Sequence, residues 1–518
     1  MPTERIPLVG SVFHRNWADS DTLPAISTLD QRFVNVTFKK VTNVVTGKTA
    51  IWACKRPGID AGTTLSATGL SPCYAAAQSV HSGAGSNLNS LSVYGVDVDN
   101  IGYFSGNTRV DTETATGQFD ASRLCVYEVN GSGTPSVAFR VNATSRAAYA
   151  FEGSTIAAIS DVDFPNSSAI GNFVYKDGYL FIMTNSTGRI HNSDLNAVTA
   201  WSATSFLTTD SGNDGCSLAL YHDKIVAFGG TYIEFYENVG NAIGSPLQQV
   251  RHLRINGYGL GRSNVIPASY GQEPGHRCFS SRDTLFWINN PDLESGGGVF
   301  VLDAFTPKKI STAEVDFDLA RLAYSDPRIA GICELFGFNY LVIATGNQST
   351  DYCWVFCFET GMWTTWESSL FSTLAAVMNN PQGSGAGQDS VLLFSGNEIY
   401  QFDTASLLST AIDYTDDSAA FTMTVQTGQL DFGTNRRKRL NSIRLIGNDP
   451  REASTCAISW SDDDGQTYST ARNVDLNDED PKLVACGMFR RRQFRIANSS
   501  NAPCELEAME LDYEVLAS

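Results

Sequence analysis

Paired apolar strands recur along the middle of the chain, and this recurrence constrains the fold more than any other feature. Each copy has a small or polar residue, a run of four to six apolar residues, a Gly, Asn or Asp turn, and a second run rich in aromatics. The clearest copies are 178–183, 223–230 leading to 232–236, 284–288 leading to 298–303, 340–344 leading to 353–358, and 390–394 leading to 398–403. They start roughly 45 to 60 residues apart, the spacing of β-propeller blades. One blade cannot bury both of its faces, so neighbours must stack radially around a shared core. Weaker copies at 91–104 and 137–159 bring the expected count to six, seven or eight blades. A stacked two-sandwich architecture stays open.

Composition agrees with an all-β chain: Gly 44, Tyr 19 and Phe 29 among 518 residues favour strands and turns over helices. The expected organisation is an N-terminal segment at 1–60, a β-propeller at 61–415 and a C-terminal β-sandwich-like module at 416–518. A strand near Phe33 to Phe38 is expected to close the propeller. The opening MPTERIPLVGSVFHRNW has no apolar run of signal-peptide length, and no stretch approaches the roughly 20 apolar residues that span a bilayer. The expectation is a soluble chain made in the cytoplasm, with no membrane contact. The sequons at Asn142 and Asn185 are then chance matches.

The 11 cysteines show no repeated spacing, which argues against a disulfide framework. Cys353 and Cys357, four apart in DYCWVFCFET, fall on one face of a strand and read as core packing rather than redox or zinc chemistry. The six histidines, His14, His81, His191, His222, His252 and His276, include no pair at metal-ligand spacing. His222, beside Asp223 at a blade turn, reads as an ordinary turn histidine. The glycines at 257, 259 and 261 lack the lysine and helix of a phosphate-binding loop and read as a turn. No catalytic residue, metal or cofactor is therefore expected. The alternatives are a glycan-binding propeller and, as the enzymatic one, a glycan-cleaving propeller of sialidase type, because two carboxylates at the right separation would suffice for glycoside hydrolysis.

Charge is placed unevenly on a chain of net charge -19. From Phe421 to Ser518 there are 12 Lys+Arg against 15 Asp+Glu, leaving 24 against 40 on the first 420 residues. Affinity for the phosphate backbone comes largely from Lys and Arg, so the acidic part disfavours a grip on DNA. Two basic clusters stand out against that background: Arg436, Arg437, Lys438 and Arg439, then Arg490, Arg491 and Arg492. They read as guarded strand edges, as forks onto a partner's carboxylates, or as DNA contacts. Between them, Ser461 to Tyr468 has the S-x-D-x-G-x-T-Y spacing of an Asp-box hairpin, a structural turn on which Gly465 supplies positive φ.

The order of these C-terminal features resembles that of the tail hub, or packaged-DNA stabilisation, proteins of short-tailed bacteriophages. The resemblance extends to the 31–36 strand followed by Lys55-Arg56-Pro57-Gly58-Ile59, to Gly230-Thr231-Tyr232-Ile233-Glu234-Phe235-Tyr236, and to the Gly257–Gly261 turn after it. The acidic loop Asp475 to Asp480 has no counterpart. The resemblance implies a homohexameric ring in the virion tail, assembled in the host cytoplasm below the portal and its adaptor. It also implies a needle or nozzle-tip element, docking sites for tailspikes or fibres, and double-stranded DNA passing through the lumen without tight binding. The seven basic residues are the expected partner contacts.

Overall fold

The computed structural model describes residues 3–9, 32–42, 49–64, 75–79, 92–96, 100–105, 108–114, 123–128, 135–140, 147–152, 155–166, 168–184, 187–210, 214–241, 243–261, 274–281, 283–322, 327–346, 351–380, 390–396, 398–403 and 412–516. For the strands described between 61 and 114, and for a few strand ends, the backbone alone is described. Gln31, His14, His81 and the sequons at Asn142 and Asn185 lie outside the described residues.

The chain is all-β and propeller-like. Four antiparallel meanders of four strands each cover 75–114, 125–158, 169–208 and 278–309, and a fifth sheet over 215–256 has five strands. Each anticipated strand pair is a hairpin: Lys224–Gly229 with Tyr232–Asn238, Thr284–Asn289 with Gly298–Asp303, Phe338–Ala344 with Tyr352–Cys357, and Ser390–Ser395 with Glu398–Phe402. Alternation along these strands feeds two different cores, as the pleat requires. Ile225 and Ala227 pack with Phe181 and Met183 of the preceding meander. Val226 and Phe228 pack with Trp287, Phe300 and Leu302 of the following one. Cys353 and Cys357 share one further core, as expected for residues four apart on a strand.

The first strands of successive units lie beside one another in the order Ala75–Ser79, Cys125–Glu128, Ala169–Lys176, Gly215–Tyr221, Cys278–Ser281, Arg328–Leu335 and Leu374–Asn380, and the last of these also lies against the first. Arg123 reaches across the axis that they enclose. Its Nε donates to the carbonyls of Gly275 at 3.2 Å and Cys278 at 2.9 Å, and its Nη2 to those of His276 at 3.3 Å and Ile329. Asn172 completes the crossing, accepting from the Arg123 amide at 3.3 Å and donating to the Gly275 carbonyl at 3.0 Å. Burial draws the Arg123 guanidinium down to about 10, which makes its four carbonyl partners a requirement rather than an ornament.

The unit made of Leu374–Asn380, Ser390–Ser395 and Glu398–Phe402 takes its fourth strand from the other end of the chain. Ile59–Thr64 pairs antiparallel with Glu398–Phe402, in register Phe402↔Ile59 and Ile399↔Thr63. The closing strand is thus not the one near Phe33 to Phe38. Arg32–Val34 instead pairs with Met423–Gln426 and, through Val34↔Thr365, runs parallel to Met362–Glu367. The Arg56-Pro57-Gly58 turn explains the difference. Pro57 has no amide for a ladder, and a Cβ on Gly58 would stand 2.2 Å from the Thr415 carbonyl oxygen. The chain therefore leaves one sheet at Lys55 and enters another at Ile59, so the 60/61 boundary falls inside a strand.

Beyond residue 415 two sheets face one core. One continues from the four-stranded meander at 328–367 through Arg32–Val34 and Met423–Gln426 to Gln493–Asn498, Thr455–Ser461 and Arg472–Asp475. The other holds Val36–Thr42, Thr49–Lys55, Glu505–Val515, Lys438–Gly447 and Lys482–Val484, with Thr3–Pro7 and Met488–Phe489 at its margins. Val425, Ile458 and Ile496 meet Leu440, Ile443 and Leu506, and the same core takes in Tyr340, Trp366 and Phe402. A helix, Ala313–Arg321, departs from the expected all-strand pattern. Thr312 caps it by accepting from the Val315 amide at 3.4 Å, and Val315 and Leu319 bury its inner face beside Phe286 and Ile288. Among the described residues no helix is long and apolar enough to cross a membrane.

Candidate functional site

The two basic clusters meet in space. Lys438–Gly447 and Met488–Phe489 are neighbouring antiparallel strands, with Arg439 opposite Met488 and Lys438 opposite Phe489. Strand alternation then divides the residues. Lys438 turns inward, fully buried, and its ammonium donates to the carbonyls of Thr434 at 2.5 Å, Arg490 at 2.6 Å and Arg436 at 3.1 Å. Burial draws the Lys438 ammonium below lysine's ordinary value. Arg436, Arg437 and Arg439 are exposed and form no ion pair among the described residues.

The second cluster divides in the same way. Arg492 is 1% exposed, with its guanidinium 4.6 Å from the Phe489 ring centre and 5.0 Å from that of Trp460. It forks onto Asp462, Nε to Oδ1 at 2.7 Å and Nη2 to Oδ2 at 2.8 Å, while Nη1 donates to the Cys486 carbonyl at 2.5 Å. Arg490 and Arg491 are exposed. Arg490 donates to the Asn435 carbonyl at 2.8 Å, and Arg491 pairs with Asp464 at 2.7 Å. The expected set of seven contacts is therefore corrected: Lys438 ties the two strands together from within, Arg492 ties the second of them to the Asp462 hairpin, and Arg436, Arg437, Arg439, Arg490 and Arg491 make the exposed basic tip.

The hairpin that joins the clusters uses its three aspartates for three separate tasks. Asp462 takes Arg492, Asp464 takes Arg491, and Asp463 closes the turn. The Thr467 hydroxyl donates to Asp463 Oδ2 at 2.5 Å, while Oδ1 accepts from the Thr467 amide at 2.9 Å and the Ser461 hydroxyl at 2.7 Å, and these bonds, the Thr467 hydroxyl foremost, hold the carboxyl down to about 2. Gly465, at φ +80°, lets its own amide return to the Ser461 hydroxyl at 2.9 Å. The turn is longer than a tight hairpin: Thr455–Ser461 is followed by its partner only at Arg472–Asp475. Each carboxylate is spent on the hairpin, so it does not supply the uncommitted pair that glycoside hydrolysis requires. His222 sits at a turn with φ 52°, exposed, with Nδ1 3.1 Å from Asp283 Oδ1.

The seam between the two parts of the chain is a second polar centre. Arg56, fully buried, donates from Nη1 to Asp416 Oδ1 at 2.7 Å and from Nη2 to Asp416 Oδ2 at 2.5 Å. Its Nε donates to Asn35 Oδ1 at 2.9 Å, and the same oxygen accepts from the Glu367 amide at 2.8 Å. The Phe421 ring covers the guanidinium at 3.9 Å. Three segments, 35–56, 367 and 416–421, are pinned at one point.

The family model described as bacteriophage P22 Gp10, β-propeller, matches residues 58–338, more than half of the chain. The chain belongs to this phage stabilisation family. It is a structural tail protein of a bacteriophage and hence a virion component. The match begins at Gly58, just before the strand that completes the last meander, and ends at Phe338, the first residue of Phe338–Ala344, so Arg56 and both basic clusters lie outside it. No curated protein matches the chain. Among solved structures, it is similar to PorZ, an essential surface component of the type-IX secretion system of Porphyromonas gingivalis. The identity is 10% and the TM-score 0.36, over 80% of this chain and 46% of that one. The chain thus spans less than half of that structure.

Within this phage stabilisation family member, Arg123, Asn172, Asp416 and Asp462 are the buried-contact side chains whose partners sequence reasoning missed. The partners of Arg123 are carbonyls from distant units, which no local pattern announces. Lys438 carried a legible signal: in a strand, a lysine between two arginines points away from both.

Proposed function

We propose that this chain is the hub or nozzle subunit of a short phage tail, forming a homohexameric ring that stabilises packaged DNA and carries it to the exit. The observation that carries this reading is the exposed arginine tip, Arg436, Arg437, Arg439, Arg490 and Arg491, held on a rigid frame at the margin of an otherwise acidic molecule. Guanidinium forks suit carboxylates on an adaptor or a neighbouring subunit, and a ring repeats each contact. The single body has a seven-bladed propeller. The closed order of seven first strands and the N-terminal strand on the last unit support that number. Its C-terminal part acts as a two-sheet sandwich for docking, supported by the core shared between its two sheets.

In this reading the DNA path lies between subunits, because Arg123 crosses the axis of each propeller. The acidic balance serves transit: two unit charges 4 Å apart interact by only ~1 kcal/mol at water-like dielectric, and the field fades over about 8 Å at physiological salt. Such a wall discourages sticking without blocking passage. The outer wall offers places for tailspikes or fibres, and a needle or nozzle tip continues the channel.

The test combines mass and incorporation. Full-length chain mixed with tail extract is expected to enter a ring, and changing Arg436, Arg437, Arg490 and Arg491 to Glu should leave a folded monomer excluded from tails. Normal incorporation of that variant, or tight salt-sensitive duplex binding by the wild type, overturns the assignment.

A further inference from the structure

Two thiols stand apart from the other buried cysteines. Cys456 lies on Thr455–Ser461 in one C-terminal sheet, and Cys504 immediately precedes Glu505–Val515 in the other. Their sulfurs are 3.7 Å apart, in van der Waals contact, and the residues are 0% and 1% exposed. A disulfide requires about 2.05 Å, so closing the bond takes a further approach of two sulfurs that already touch. The other buried thiols have different partners: Cys353 donates towards the Trp366 carbonyl and Cys357 towards Glu359.

The surroundings distinguish the two sulfurs. The Cys504 thiol hydrogen-bonds to Cys456 and holds the Cys456 thiol below its ordinary range, while the same bond and burial push Cys504 well up. Asn498 Nδ2 stands 3.9 Å from the Cys456 sulfur. The Lys55 ammonium, donating to the Ser500 carbonyl at 2.7 Å, adds a positive charge that favours the thiolate at either sulfur. Cys456 is the sulfur poised to react first.

We propose that Cys456 and Cys504 are a redox-closable pair, which hydrogen peroxide converts to a disulfide stapling the two C-terminal sheets together. The Cys456 thiolate attacks one peroxide oxygen, breaking the O–O bond and leaving a sulfenic acid and hydroxide. The Cys504 thiolate then attacks the sulfenic sulfur, the S–S bond forms, and hydroxide leaves. With the two thiol protons, the balance is two thiols and one peroxide to one disulfide and two waters. Both sulfurs lose one electron each and the peroxide oxygens gain them. Because both sulfurs are buried, peroxide reaches them only when the chain opens locally, and that opening sets the rate of closure. A virion component meets reducing cytosol during assembly and oxidising surroundings after release, so the staple closes late.

The test is a thiol map of the full-length chain, reduced, freed of reductant, treated with hydrogen peroxide, and then denatured in an alkylating reagent. The expected result is two fewer alkylatable thiols than the 11 of the reduced chain. After trypsin, the peptides holding Cys456 and Cys504 should be joined, lighter by two hydrogens than their sum, and separated by dithiothreitol. The oxidised chain should also unfold at higher urea. In Cys504→Ser, Cys456 should proceed to a sulfinic acid with no cross-link. Eleven free thiols after treatment, a sulfinic acid on wild-type Cys456 beside a free Cys504, or a bridge from either residue to Cys54 overturns the proposal. The wild-type map decides even where the variant fails to fold.

Discussion

Arg56 and Asp416, 360 residues apart in sequence, form a two-pronged ion pair from which solvent is excluded, their side chains being 0% and 5% exposed. Neither charge has another place to go. Arg56→Ala should cost about 3 to 5 kcal/mol, because a buried carboxylate is left unpaired. Asp416→Ala should cost about as much, and Arg56→Lys should not rescue, since an ammonium cannot fork. Urea unfolding of the two single variants and the double variant checks this: the double should cost clearly less than the sum.

The arginine clusters should separate into two classes. Arg492→Ala removes the fork to Asp462 and leaves the Cys486 carbonyl without its guanidinium donor, a loss of roughly 2 to 3 kcal/mol. Arg436→Ala, Arg437→Ala and Arg439→Ala should each stay within about 0.5 kcal/mol of wild type. Denaturant midpoints decide it, and equal losses across the four would show that burial does not distinguish them.

Arg123→Ala should loosen the propeller rather than the C-terminal part. Four carbonyls from the 274–281 and 328–335 regions lose one shared donor, a cost of about 2 kcal/mol or more if water does not replace it. Hydrogen exchange should quicken first in Cys278–Ser281 and Arg328–Leu335. Faster exchange confined to 416–516 would contradict the axial role.

Alkaline pH should destabilise the chain. Burial pushes Cys353 up to about 12 and Cys357 up to about 11, whereas an unfolded thiol titrates near ~8.5. The folded state then binds more protons between these values, so stability is complete below about 8.5 and falls as pH rises through the folded values. Each such thiol contributes a slope of about 1.4 kcal/mol per pH unit. Urea midpoints between neutral pH and the alkaline limit should fall steeply, and less steeply in Cys353→Val.

The hairpin cores were legible because their strands are short continuous apolar runs between turn residues, as in Tyr179–Thr184 and Lys224–Gly229. The flanking strands were not. Ala169–Lys176 and Arg328–Leu335 each carry a register shift at a glycine-containing step, and Ala197–Thr208 is mostly half-exposed, so none of the three shows a clean period. The fourth strand of the last unit comes from 59–64, a pairing across more than 300 residues that no local pattern encodes. The basic clusters were found, but their burial was not, because charge in a sequence is silent about which residues have carbonyls waiting for them.

The sheet that runs unbroken from Tyr352–Cys357 through Met362–Glu367, Arg32–Val34 and Met423–Gln426 to Gln493–Asn498 has a mechanical meaning. A torque applied at the arginine tip reaches the propeller wall through backbone hydrogen bonds and one common core, with no linker to absorb it. The C-terminal part is a fixed bracket rather than an arm. In the ring proposed above, any widening of the passage would then come from slip between neighbouring subunits rather than from bending of this bracket.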